Sequence, residues 1–144
     1  MDYLLTYYDR GFSGNPYDAG EDRTYSMDTL PQEFPCYGNG DFRSTAFAVE
    51  NADGSMSCDL RYKSHKIFDG KYNLEGLPAV YASEQEAQTL EILMEDPVTG
   101  VKVVLLYGVL PAQDIITRSV CVKNESSGKI YLNKIESARL DFLY

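Results

Sequence analysis

Few residues of this 144-residue chain stand where their types could do covalent chemistry. The single histidine, His65, lies between Ser64 and Lys66, with no second histidine or cysteine pair at the spacing a zinc site requires. A Ser-His-Asp relay through His65 would need an exposed serine nucleophile, and no Gly-x-Ser-x-Gly turn is present to hold one. Cys36, Cys58 and Cys121 are far apart and odd in number, which reads as reduced thiols rather than a disulfide framework. The run Gly38-Asn-Gly40-Asp-Phe-Arg43 begins as a dinucleotide fingerprint does. Arginine occupies the third glycine's place, however, with no strand before it and no helix after it. Inside that run Asp41 and Arg43 are spaced for an ordinary ion pair on one strand face, a spacing repeated at Asp59 and Arg61. None of these constellations calls for a cofactor or a metal.

Charge narrows the partners. Thirteen Lys and Arg against 22 Asp and Glu give a formal net charge of −9. With no basic cluster, the attraction that drives binding to nucleic acid or to anionic membranes is missing, so neither is expected as a partner. The longest apolar run, residues 103–110, is far short of the ~20 residues that span a bilayer. The first ten residues lack the basic start and sustained apolar stretch of a secretory signal, so a cytoplasmic protein is expected. In that setting Asn124-Glu-Ser126 is a turn rather than a glycosylation acceptor.

The elements that must position these residues are strands. At ordinary globular composition, 44% hydrophobic and 24% charged, a chain of this length predicts one folded domain with a core of its own. Residues 45–50, a turn at Asp53-Gly54 and residues 56–62 read as a hairpin. Residues 89–95, a turn over 96–100 and residues 101–107 read as a second. Residues 115–122 alternate, with Ile116, Arg118, Val120 and Val122 on one face, and the turn 124–128 returns the chain into a strand from Ile130. Only residues 83–88 have a helical look, through the capping-box match Ser83-Glu-Gln-Glu86, and that stretch is too short to be more than a loop crossing. An all-β antiparallel sandwich follows, because a sheet with one apolar face buries it against a second sheet. Residues 45–144 form the strand meander; residues 1–44 are an irregular region rich in Gly, Pro, Asn and Tyr, of the kind that carries function or packs on something else. The ending Leu140-Asp-Phe-Leu-Tyr144 and the apolar run 103–110 together suggest a piece of a larger protein, with that run covered by strands outside it.

Several segments, in order, carry a resemblance: Arg10-Gly-Phe-Ser-Gly-Asn-Pro-Tyr17, Arg23-Thr-Tyr-Ser-Met-Asp28, Leu30-Pro-Gln-Glu-Phe-Pro-Cys-Tyr37, Gly40-Asp-Phe-Arg-Ser44, Asp59-Leu-Arg-Tyr-Lys-Ser-His65, Glu95-Asp-Pro-Val-Thr-Gly100 and Asp114-Ile-Ile-Thr-Arg-Ser119. The chain resembles the N-terminal region of bacterial α-galactosidases of glycoside hydrolase family 36. That resemblance implies part of an N-terminal β-supersandwich preceding a (β/α)8 barrel, in a retaining enzyme that removes terminal α-galactose. The catalytic aspartates of the family belong to the barrel, so no residue here inherits either role, and the chain alone is expected to be inactive. A retaining site needs two carboxyls about 5–5.5 Å apart, and only their neighbours would be present here. The resemblance further implies a homo-oligomer, a tetramer, in which the N-terminal loop of one subunit approaches the sugar pocket of another. It makes Asp41 the candidate acceptor of galactose hydroxyls, with Phe42, Arg43 and Tyr37 as neighbours at the sugar. Thr45 stands where relatives commonly carry proline. The alternative from another class is a free-standing carbohydrate-binding or scaffold module.

Overall fold

The computed structural model describes residues 32–38, 44–76 and 80–140. Among the described residues six strands follow one another: β1 (Phe47–Glu50), β2 (Arg61–Asp69), β3 (Gln88–Glu95), β4 (Val101–Leu110), β5 (Ile115–Asn124) and β6 (Tyr131–Ile135). A 3-10 turn, Pro111–Gln113, joins β4 to β5. Strands β2-β3-β4-β5 form one antiparallel sheet in that order, and β1 pairs antiparallel with β6 in a second. The expected all-β sandwich is what the chain forms.

The sequence of β4 explains why it is central. VKVVLLYGVL is apolar at nearly every position, the composition of a strand covered on both faces. On one face Val101, Val103 and Leu105 meet Phe34, Cys36, Phe47, Val49, Cys58 and Leu60 to make the main core. On the other, Val104 and Leu106 pack under Tyr72. The apolar run 103–110 is therefore covered by this chain itself, with Val103, Val104, Leu105, Leu106 and Leu110 all buried, which corrects the expectation that it waits for strands from outside.

The β3–β4 hairpin forms as expected, with Leu90 opposite Tyr107 and Ile92 opposite Leu105. Asp96 organises its turn: the buried carboxylate accepts the Val98 N–H at 2.8 Å and the Thr99 N–H at 3.3 Å through Oδ1, and the Asp59 N–H at 3.2 Å through Oδ2. The first expected hairpin does not form. The reversal itself is present, with Asn51 N–H on Ser55 O at 2.8 Å and Gly54 at φ +82°, yet β1 pairs with β6, placing Phe47 opposite Ile135. Residues 56–60 join no ladder because Cys58 and Leu60 turn into the core while the Asp59 N–H is taken by Asp96. Strand β2 then starts at Arg61 and pairs with β3. Likewise β6 leaves β5 after the 124–128 turn and crosses to the other sheet. The stretch near Ser83 is a single turn, its Ser83 N–H and Oγ–H both donated to Glu86 Oε2 at 2.9 and 2.8 Å.

Candidate functional site

The segment that carries Asp41 is held at its base with unusual thoroughness. Asp41, Phe42 and Arg43 themselves lie outside the described residues, so the site is described from the two stems that enter and leave it, residues 32–38 and 44–46. The stems are joined directly: Pro35 O accepts the Ala46 N–H at 2.9 Å and the Phe47 N–H at 3.3 Å, and Cys36 bridges to Phe47 in parallel fashion. On the far side Ala46 O accepts the Glu136 N–H at 2.8 Å, and Lys134 Nζ donates to Ser44 Oγ at 3.0 Å. The stems ending at Gly38 and starting at Ser44 are thus pinned to β1, to β6 and to the chain just beyond it.

Three further anchors fix the incoming stem. Phe34 stacks obliquely on Phe47, centroids 5.9 Å apart. Glu33 Oε1 lies 2.6 Å from Arg118 Nη1, Arg118 Nη2 donates to Glu33 O at 3.0 Å, and the Tyr107 hydroxyl donates to Glu33 Oε1. Arg118 also lies 5.1 Å from the centroid of the Tyr107 ring. Burial pushes the Tyr107 phenol well above its ordinary range, with the Glu33 carboxylate adding to the rise. At the outgoing end Gly38 meets the Cys58–Asp59 peptide so closely that a Cβ would fall 2.3 Å from Cys58 O, so no other residue fits without movement.

Tyr37, between the buried Cys36 and this glycine, turns outward and is 44% exposed. Of the candidate residues it is the one the structure describes, and its ring is free to cover an apolar surface. The alternative role weighed for Asp41 and Arg43 is realised at Asp59 and Arg61. There the guanidinium donates to Asp59 Oδ2 through Nε at 2.8 Å and Nη2 at 2.6 Å.

His65 is on the sheet-edge strand β2, with Nδ1 2.6 Å from the Tyr62 hydroxyl. No group of three or more His, Cys, Asp or Glu among the described residues is placed to hold a metal ion. Among the described residues the carboxyls of Asp53, Glu86 and Glu125 are held below their ordinary range, by the Ser55 N–H, by Ser83 and by Lys102 respectively. The Glu33–Arg118–Tyr107 anchor was not singled out from sequence, although the signal existed, since Arg118 shares an alternating apolar face with Val120 and Val122 and must find a partner when that face is covered. That Cys36 and Cys58 share the main core has no such signal, being purely tertiary.

The chain matches the family described as Glycosyl hydrolase family 36 N-terminal domain over residues 5–143. It is 58% identical over 143 residues to a bifunctional alpha-galactosidase/sucrose kinase, AgaSK, of Mediterraneibacter gnavus, covering 99% of this chain and 15% of the relative. It is 47% identical over 135 residues to the alpha-galactosidase AgaA of Geobacillus stearothermophilus, covering 93% of this chain and 18% of that protein. Among solved structures, the galactosidase domain of AgaSK superposes with a TM-score of 0.77, over 96% of this chain and 19% of that one. The Geobacillus stearothermophilus AgaA variant crystallised with raffinose superposes with a TM-score of 0.77 at 46% identity, over 90% of this chain and 18% of that one. The chain therefore spans less than a fifth of the length of these relatives.

Proposed function

This chain belongs to the glycosyl hydrolase family 36 N-terminal domains, and on that premise we propose that it is the non-catalytic N-terminal β-sandwich segment of a retaining α-galactosidase acting on terminal α-galactosides such as melibiose and raffinose-type sugars. The observation that carries the reading is the breadth of the match: relatives named as alpha-galactosidases align with nearly all of this chain and with only 15–18% of themselves. Support for a docking role comes from β6 and the chain beyond it, where Tyr131, Leu132, Ile135 and Leu140 are exposed. Exposed apolar side chains on a strand paired with β1 are suited to covering by further polypeptide, here the enzyme's own barrel or another subunit of a tetramer.

In this reading Asp41, Phe42 and Arg43, which follow the stem pinned at Pro35 in sequence, meet a neighbouring subunit's galactose together with Tyr37. Asp41 accepts hydrogen bonds from adjacent hydroxyls, and the aromatic rings cover the sugar's C–H faces. The setting is cytoplasmic, where the three free thiols stay reduced. The test is a chimera in which this chain replaces the matching 15% of the Mediterraneibacter gnavus relative. Hydrolysis of a chromogenic α-galactoside by the chimera, with none by the chain alone, is the expected result. Turnover by the purified chain, persisting in a His65→Ala variant, overturns the non-catalytic assignment. Galactoside binding by the chain alone, with an inactive chimera, favours a free-standing module instead.

A further inference from the structure

Three turns of the chain, residues 51–55, 96–100 and 124–128, pack against one another. A Cβ on Gly128 would fall 2.7 Å from Ala52 Cβ, and one on Gly100 would fall 3.2 Å from Glu125 O. Together with Ser57, Asp59 and Ile130, residues of these turns line a cleft of about 360 Å³, within the range of small-molecule sites. Two side-chain oxygens of the residues in its wall have no donor. Asn51 is 8% exposed; its amide Nδ2 donates to Ser57 O at 2.9 Å and to Ser55 Oγ at 3.1 Å, while Oδ1 accepts nothing. Asp59 takes both Arg61 donors on Oδ2, at 2.8 and 2.6 Å, and its withdrawn Oδ1 likewise accepts nothing. Neither oxygen has a part in the function proposed above. We propose that this cleft binds a neutral saccharide, two of whose hydroxyls donate to Asn51 Oδ1 and Asp59 Oδ1.

The unmet groups are both acceptors, so the ligand must bring donors. A cation would also satisfy oxygens, yet the carboxylates at the cleft are already engaged. Asp96 accepts the N–H groups of Val98, Thr99 and Asp59, Asp53 accepts the Ser55 N–H at 2.9 Å, and Asp59 is paired with a guanidinium. Among the described residues no three His, Cys, Asp or Glu side chains converge on a metal position. With the charge of Asp59 balanced by Arg61, a neutral hydroxyl is the donor that costs least to bring out of water. Ser57 and Ser127 also line the cleft, and each hydroxyl can donate or accept, as a sugar's own hydroxyls do. Val98, 89% exposed and part of the lining, offers an apolar surface to C–H groups. Residues 52–57 are exposed and belong to neither sheet, so this segment can move aside to bring the two withdrawn oxygens to the ligand.

The test titrates the isotope-labelled chain with D-galactose, D-glucose and raffinose and follows its backbone amides by NMR. Each sugar is taken to about 50 mM, above the millimolar Kd that a site making few polar contacts predicts. The expected result is saturable shifts confined to the three turns and residues 57–59 with at least one of the sugars. Asp59→Ala should weaken that binding about tenfold, and Val98→Arg, a change at an exposed side chain, should block the cleft while leaving the melting temperature in place. No saturable shift with any sugar, or shifts centred elsewhere in the chain, overturns the proposal. So does an equal response to glycerol, which marks an adventitious additive only, or a response of the same amides to calcium chloride at lower concentration, which marks a cation site. Because the unsubstituted chain decides the matter, a variant that fails to fold does not shelter it. Turnover by the chimera has no part in this titration, so failure here leaves the α-galactosidase reading standing, and an inactive chimera leaves this site standing.

Discussion

Arg118 Nη1 lies 2.6 Å from Glu33 Oε1, across a gap of 85 residues in sequence, and this contact ties the stem of the Asp41 loop to the sheet. The Arg118 side chain is 10% exposed and that of Glu33 30%, so the pair is largely but not fully withdrawn from water. Removing one partner leaves the other poorly solvated. Arg118→Met should therefore cost about 2 kcal/mol in urea unfolding, below the full penalty for breaking a buried pair because Glu33 keeps some water. Glu33→Gln should cost less, and the double variant should cost less than the sum by about 1 kcal/mol or more. Strict additivity would show that the contact does not couple the stem to β5.

Tyr107 predicts the alkaline limb of stability. Its folded-state pKa is raised by burial and by Glu33, so the folded chain keeps the phenolic proton at pH values where the unfolded chain has released it. The stabilisation is fully present below the unfolded phenol pKa of about 10 and is lost as pH rises above it. Melting temperature should fall between about pH 10 and 12, and Tyr107→Phe should flatten that fall while lowering the plateau. An equally steep fall in Tyr107→Phe would assign the limb to other groups.

The acid limb has the opposite origin. Asp53, Glu86 and Glu125 all have folded-state pKa values below their ordinary ones, through the Ser55 N–H, Ser83 and Lys102 respectively. Each contributes stability above its unfolded pKa that is lost as pH falls through the folded one. All three are solvated, so each contribution is small and the sum is spread over the pH range below about 4. Urea midpoints from pH 7 downward should show Glu86→Gln less acid-sensitive than the unsubstituted chain. Identical slopes would remove the Ser83–Glu86 turn from the account.

Gly38 and Gly54 separate contact from conformation. A Cβ on Gly38 meets the Cys58 carbonyl at 2.3 Å, whereas one on Gly54 meets nothing within 4 Å and is opposed only by φ +82°. Gly38→Ala should cost about 1–3 kcal/mol by forcing the two core segments apart. Gly54→Ala should cost about 1 kcal/mol, the strain of a left-handed backbone alone. Equal denaturation midpoints for the two variants would show that the packing at residue 38 yields to Gly38→Ala.

The fold was legible where the signal was local. Alternation and the Asp96–Gly100 turn fixed β3 and β4, and the run 115–122 fixed most of β5, because hairpin partners are sequence neighbours. The β1–β6 pairing was not legible, since a turn such as Asn51–Ser55 reports that the chain reverses and carries no information about which strand it meets next. For the same reason the burial of residues 103–110 was misassigned: a doubly covered strand reads the same whether its covers come from this chain or another. At the site, Asp41 and Tyr37 came from motif resemblance, while the Glu33–Arg118 anchor depends on a distance that no spacing rule encodes.

Asp41 gives the sharpest separation of roles. If it accepts hydrogen bonds from galactose hydroxyls, Asp41→Asn keeps the shape, removes the charge and turns one acceptor into a donor. Hydrogen bonds to a charged group contribute about 1.5–3 kcal/mol each, so kcat/KM of the chimeric enzyme should fall on the order of 10- to 100-fold. The oligomer should be unchanged by light scattering, because the bonds that hold the stems at Pro35 and Ala46 are made by backbone groups. If Asp41 instead pairs with Arg43 as Asp59 pairs with Arg61, the loss is that of an exposed ion pair, about 0–1 kcal/mol, seen in melting and absent from kinetics. Arg43→Gln sharpens the contrast. On the pairing account the two substitutions are equivalent and non-additive, whereas on the sugar-contact account the Asp41 variant is the more damaging to kcat/KM with little change in melting. Kinetics near the unsubstituted value in an intact oligomer would remove Asp41 from the sugar site and leave the loop a structural element of the subunit contact.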